Sequence, residues 1–542
     1  MGYYLDHYSV EALLDGEEWA DITGDVIENI ECQYGIQGNA PTDRVADIGS
    51  MAIVLNNTAS NSVGLVGYYT PGHPNCRSGF GTGLDVRLRI QHNNAEIIKF
   101  QGKIPPQGIQ PGTGRYAAAK TRVTVLDWME QAANHYLTGM ELLEDATAED
   151  GIRGVIENMD AQPPGSTSYY DMESTFPTVF DTVRARTTAL SEMAKLVHSE
   201  LGFLYLTPRG LVVEGRFTRT NQLVNLSYIP RSTADSGALH SEDGDYLVTE
   251  DDAPLIADQG DSARFDNAQR DMDVSYGKHL YNSVRFTAYP RRVDAASVLL
   301  FELQNPIQLA PGAAATVSGR YRDPSGGAAE VSGIDMVTPV ADTHYKMWTA
   351  REGTGTDITA DLDIDVTFGT GGFTAQVENT GTLGGWITKL ELYGRGVYLY
   401  DTLEYMAQNQ ASITRHGISA LLVDMKYQND PIVASAWSEI TLSTYKDPRL
   451  SIDRVVFTAN RSKLLLGAFV HLEPGALVQI SEEVTGISSD RFFVQAEQFS
   501  ISPGGAIEFA WTLREAGVDS YAFWQLGVPN FSNLDRTTRL NL

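Results

Sequence analysis

The chain has 542 residues with 42% hydrophobic and 20% charged side chains, which suits a globular protein with a large buried core and excludes a mainly disordered one. At about 150 residues per domain, three or four domains are expected. Lys and Arg total 40 against 69 Asp and Glu, a formal charge of −29, so the chain cannot gain general affinity for nucleic acid or anionic membrane by counterion release.

Met1 to Gly16 has neither a basic n-region nor an apolar h-region, so no signal peptide is expected. Met-Gly is followed by Asp6, where myristoylation wants Ser or Thr. The most apolar run, Leu464 to Leu472, is too short to span a bilayer and is expected to be a buried strand. Two cysteines, Cys32 and Cys76, make no disulfide framework. Cys32 alternates with Val26, Ile30 and Tyr34 on an apolar face and is expected in the core; a bridge to Cys76 is left open. Folding in a cytoplasm is expected.

Residues 1–128 read as a β unit, suggesting a small barrel or sandwich. Trp19 to Tyr34 alternates. Val86 to Ile90 and Ile98 to Phe100 flank the turn 92–95, a hairpin signal, and Thr121 to Val125 is a further strand. Residues 129–231 read as α+β. Asp127 opens a helix through Trp128 and Ala133, and another spans Ile152 to Met159. Leu190, Met193, Ala194, Val197 and Leu201 form a helical stripe stopped at Gly202. Phe203 to Leu206, a Pro208-Arg209-Gly210 turn and Leu211 to Val213 then read as a hairpin.

Residues 232–296 read as an acidic excursion and a linking strand. Twelve acids stand in 232–273 against Arg264 and Arg270. Residues 297–397 read as an inserted β-sandwich, with strands at Leu309, Thr316 to Tyr321, Tyr345 to Trp348, Ile358 to Phe368 and Trp386 to Leu392. In the fourth, Ile358, Leu362, Ile364, Val366 and Phe368 share one face. Residues 398–527 read as one helix, announced by Asp430-Pro431, followed by a second small barrel; 528–542 read as an extended arm. The fold class is therefore mainly β with α+β parts: two small β-barrels, an α+β domain and an inserted sandwich.

The search for chemistry returns little. There is no Gly-x-Ser-x-Gly elbow and no His-Glu-x-x-His helix, and Gly112-Thr113-Gly114 lacks the strand-to-helix context of a phosphate cradle. The ten histidines contain no i, i+4 pair. Asp361, Asp363 and Asp365 imitate the start of a calcium loop, but Val366 and Gly372 stand where Gly and Glu belong, and strand alternation explains the acids. Glu242, Asp243 and Asp245 read as a solvated acidic loop. No catalytic, cofactor-binding or metal-binding residue is assigned, no cofactor is expected, and an enzyme is not expected.

Three stretches resemble tail-tip or baseplate hub proteins of long-tailed bacteriophages. They are the N-terminal β unit ending in Gly102-Lys103-Ile104 and Thr121 to Ala133; Ala189 to Arg216 with the later Tyr281-Asn282-Ser283-Val284; and Leu472 to Val478 with Phe492 to Ile501. The resemblance implies a homotrimeric structural virion protein at the tail tip, assembled in the host cytoplasm and closing the tube, with two related barrels per chain. It implies as partners a distal tail or tube ring, a tape-measure protein and fibre or spike proteins, with DNA only transiently in the channel and no stable membrane insertion. Two other classes remain. One is a receptor- or glycan-binding tail protein, with Trp348, Trp386 and Tyr393 as stacking residues that packing into the core would otherwise explain. The other is a cell-wall or polysaccharide hydrolase.

Overall fold

The computed structural model describes residues 3–14, 16, 18–93, 95–112, 119–137, 140–172, 174–180, 187–219, 263–328, 330–369 and 371–516. It is mainly β. Thr113 and Gly114, the acids of 242–245 and the arm at 528–542 lie outside the described residues.

The two β units at opposite ends of the chain hydrogen-bond edge to edge. Strand Ile30–Gly35 runs antiparallel to Ile487–Ile501, pairing Ile30 with Ile501 through to Gly35 with Ala496. The ladders thereby merge into one 14-stranded sheet around a shared core that holds Val10, Met51, Leu88 and Val125 from the first unit and Phe457, Phe469, Val494 and Trp511 from the second. Gly35 is required at this joint. Its φ is +96°, and a Cβ there would stand 2.6 Å from the Gln495 carbonyl oxygen.

Helices α1 (Trp128–Asn134), α2 (Ala148–Glu157) and α3 (Ala189–Glu200) and the hairpin Phe203–Thr207/Gly210–Glu214 enclose a second core. Asp127 caps α1 by accepting from the Met129 amide, and Thr147 and Asp150 form a reciprocal capping box on α2. The stop of α3 is Leu201 in the left-handed region (φ 58°), not Gly202. Gly202 is there because a Cβ would meet the Glu214 carbonyl oxygen at 2.0 Å.

A third module has strand Ser283–Ala288 between Leu403–Gln408 and Ala420–Met425. Helix α4 (Gln410–His416) joins two of these strands, and α5 (Pro431–Tyr445) covers their apolar face. Asn282 is fully buried and stitches the module: its side chain donates to the Gly417 carbonyl at 2.7 Å and accepts from the Ser419 amide at 2.8 Å.

The inserted sandwich has its own core of Leu300, Met347, Val377, Ile387, Leu390 and Leu392. Its long strand Gly385–Leu399 pairs with five shorter ones, and a three-stranded sheet packs opposite. One of the five, Arg291–Val293, precedes position 297. A fragment spanning 291–400 is therefore expected to fold on its own. A circular dichroism spectrum without β signal and a non-cooperative melt would contradict this.

Several expectations are corrected. Leu464 to Leu472 is not a strand but most of helix α6 (Lys463–His471), started by Ser462, whose side chain accepts from the Leu465 amide. A short continuous apolar run has no period that separates helix from strand, and burial in the core shared by the two β units covers most of its circumference, with Leu464 left exposed. The region after residue 400 accordingly holds three helices among the described residues. Trp19 to Tyr34 is broken by a 3-10 turn, Thr23–Asp25. Buried Asp25 accepts from the Ser62 amide and hydroxyl at 2.7 Å and from the Tyr69 hydroxyl at 2.6 Å, which pulls the chain out of strand geometry. Strand Leu362–Gly369 starts later than expected. The Thr359 hydroxyl accepts from the Met347 amide at 3.0 Å and holds Thr359–Asp361 in a turn. The described end of the acidic excursion is sheet: Ala263–Asp266 pairs with Leu477–Glu482, and Asp271–Tyr276 with Leu450–Thr458. Cys32 and Cys76 are both free thiols; Cys32 is buried, and burial holds its thiol well above the ordinary range.

Candidate functional site

The joint between the terminal β units contains buried charge that the sequence did not single out. Lys99, on strand Ala95–Lys103, and Glu497, on Ile487–Ile501, have fully buried side chains and pair at 2.8 Å. The ammonium also donates to the Phe469 carbonyl on α6 at 2.5 Å and stands 4.7 Å from the centre of the Phe469 ring. The Tyr34 hydroxyl donates to the same carboxylate, and burial beside Glu497 holds that phenol well above its usual range. One cation, one anion and one hydroxyl thus tie two strands of the first unit to a strand and a helix of the second. The carboxylate oxygen that faces neither Tyr34 nor Lys99 accepts no hydrogen bond.

The hairpin of the α+β module docks against this joint. Leu204 exchanges backbone bonds with the segment at 44–46: its amide donates to the Arg44 carbonyl at 2.9 Å and its carbonyl accepts from the Ala46 amide at 2.8 Å. Arg219 is buried, bonds Glu214 at 2.8 Å and the Gln495 side chain at 3.0 Å, and lies 3.5 Å over the Phe203 ring. A crevice of about 90 Å³ remains between the N-terminal β unit and the α+β module, lined by Tyr34, Lys99, Asp127, Pro164, Leu206 and Thr207. Burial raises the Asp127 carboxyl to about 7. Glu473, nearby, is also raised to about 7 by burial, although Arg209 stands 3.3 Å from it. Asp127 was legible as a helix start, but nothing in the sequence marked it or Glu473 as a buried acid with a raised pKa.

The acids suspected of imitating a calcium loop are not brought together as ligands. Asp361 ends a turn, while Asp363 and Asp365 point outward from one face of strand Leu362–Gly369. Among the described residues no group of three or more His, Cys, Asp or Glu is placed to hold a metal ion.

The three aromatics considered for stacking do not enter the sandwich core. Trp348 and Trp386 are directly opposite one another on neighbouring strands, and both are half-buried on the outer face. Tyr393 lies further along the same long strand, also half-buried. Its hydroxyl donates to Glu391 at 3.0 Å, and its ring stands 5.4 Å from that of His344.

No protein-family model and no curated protein matches the sequence. Solved structures with a similar course include a tail protein from Neisseria meningitidis MC58, 10% identical, covering 94% of this chain and 97% of that one with a TM-score of 0.44. A 43 kDa tail protein of prophage MuSo2 from Shewanella oneidensis is 9% identical, covering 95% and 100% with a TM-score of 0.44. Prophage tail protein gp18 from Listeria monocytogenes EGD-e is 8% identical, covering 93% and 94% with a TM-score of 0.39. At these identities and scores no residue role passes from them to this chain.

Proposed function

We propose that the chain is a structural virion protein, the hub at the distal end of a long phage tail. In this reading three copies form a ring that closes the tube, joins it to fibres or a spike and contributes to the DNA exit channel. The observation that carries it is the edge-to-edge fusion of the two terminal β units into one sheet with a shared core. A chain with two rigidly joined β units offers six such units in a trimer, which matches a six-fold tube ring above it. The partners in this reading are that distal tail or tube ring, a tape-measure protein inside, and fibre or spike proteins outside.

The test is stoichiometry. Mass photometry of assemblies released from virions is expected to give three copies per ring; six or twelve copies would overturn the reading. The charge of −29 fits the same picture, because Asp and Glu on a channel wall repel DNA phosphate and leave it free to pass. Acids are therefore expected to outnumber Lys and Arg on the surface facing the three-fold axis. An inward surface that is neutral or basic in a structure of the assembled ring would leave the charge to solubility alone.

A further inference from the structure

The outer face of the sandwich combines an aromatic pair with a cluster of cations in a domain that is otherwise acidic. Between 297 and 397 there are twelve Asp and Glu against six Lys and Arg. Two of the six, Lys346 and Arg351, stand over Trp348 and Trp386, and a third, Lys389, is on the same pair of strands. Lys346 and Lys389 are directly opposite each other on the strands that carry the two Trp, and the Lys346 ammonium is 5.9 Å from the centre of the Trp348 ring. The tight turn after Trp348, closed by the Thr349 amide on the Thr356 carbonyl at 3.1 Å, brings exposed Arg351 to 5.6 Å over the Trp386 ring.

Two like charges directly opposite on one sheet face repel one another, so the arrangement costs stability unless an anion sits there. Carboxylates already stand beside both lysines, and the Lys389 ammonium also donates to the Thr343 carbonyl at 2.8 Å, which leaves Arg351, among the described residues, as the cation held only by a ring. Asp342 lies 3.5 Å and Asp357 4.0 Å from Lys346, and Glu391 lies 3.1 Å from Lys389. The Asp342 side chain is 69% exposed, and such pairs in water are worth little. An exposed cation over an aromatic ring is weakly held, so Arg351 exchanges partners readily. The Trp pair, by contrast, offers flat apolar area at low entropic cost.

We propose that this face binds an acidic glycan. A sugar ring lies against the Trp348–Trp386 pair through its C–H face, and its carboxylate or phosphate is held by Lys346, Arg351 and Lys389. This inference does not rest on the hub reading.

The test is titration of the full chain, followed by tryptophan emission. Hyaluronan and polygalacturonate oligosaccharides serve as carboxylate probes, a glycosylated poly(glycerol phosphate) as the phosphate probe, and malto-oligosaccharides as the neutral comparator. At least one acidic probe is expected to saturate the signal, with affinity falling as salt is raised. Which of the two classes binds separates carboxylate from phosphate as the recognised group. R351Q and K389Q are exposed or half-exposed changes that leave the core untouched, and each is expected to weaken binding about five-fold or more. W386A is expected to abolish it; should that variant fail to fold, the two charge variants still decide. No saturable signal with any acidic probe would overturn the proposal. So would equal binding of the neutral sugars unaffected by R351Q and K389Q.

Discussion

Replacing Lys99 by methionine is expected to destabilise the protein by about 3–5 kcal/mol, because it strands the Glu497 carboxylate in a site from which water is excluded. The lost ammonium serves three groups at once: the Glu497 carboxylate, the Phe469 carbonyl and the Phe469 ring. Only the first carries a charge that cannot be buried alone. The double variant Lys99→Met/Glu497→Gln is therefore expected to recover most of the loss, since no uncompensated charge remains, although Tyr34 then bonds a neutral acceptor. The signal to follow is the near-ultraviolet band of Trp511, fully buried in the shared core, during denaturation in urea. The two β units are expected to lose structure together and earlier in K99M. A single variant within about 1 kcal/mol of the parent would show that the pair does not hold the units together.

Asp127→Asn should stabilise the protein at pH 8 and leave it nearly unchanged at pH 4. Asn is as good a helix N-cap as Asp, so the bond to the Met129 amide survives the change. What changes is the ionisation. The folded carboxyl titrates at about 7 against 3.8 for the ordinary value, so between those limits the unfolded chain releases a proton that the folded chain keeps. Stability therefore falls as pH rises through this window and levels off above about 7. The full interval corresponds to about 4 kcal/mol as an upper figure. Glu473 shifts in the same direction and is unaffected by the change, so the variant should flatten only part of the parent's pH dependence. Urea midpoints of both proteins across the window test this. A difference that is the same at both ends of the window would mean that Asp127 is ionised throughout.

Much of the local structure was legible in the sequence. The Asp430-Pro431 start of α5, the Asp127 cap, the α3 stripe and the hairpin at 203–214 all stand where capping and period place them, because each depends on residues within a few positions of one another. Cys32 sits in the core because alternation in Ile30–Gly35 is a local property. Asn282 and the segment around it were noticed by order alone; that its side chain holds the C-terminal end of α4 and its carbonyl accepts from the Asn409 amide at the other end came only with the fold.

What the sequence could not determine is what lies across each face from distant parts of the chain. Lys99 stands between Ile98 and Phe100, where alternation points a lysine to water. It is buried because the C-terminal unit, 398 residues further on, covers that side and supplies Glu497. Leu464 to Leu472 is a helix because two β units enclose it, and neither is visible from its own composition. Trp348 and Trp386 face outward because the bulge between Lys346 and Met347 and the strand pairing set their side of the sheet. For Lys99 and α6 the deciding free energy is desolvation by a partner far along the chain, and for the two Trp it is a pairing register set between distant strands. Only the tertiary structure brings that partner near.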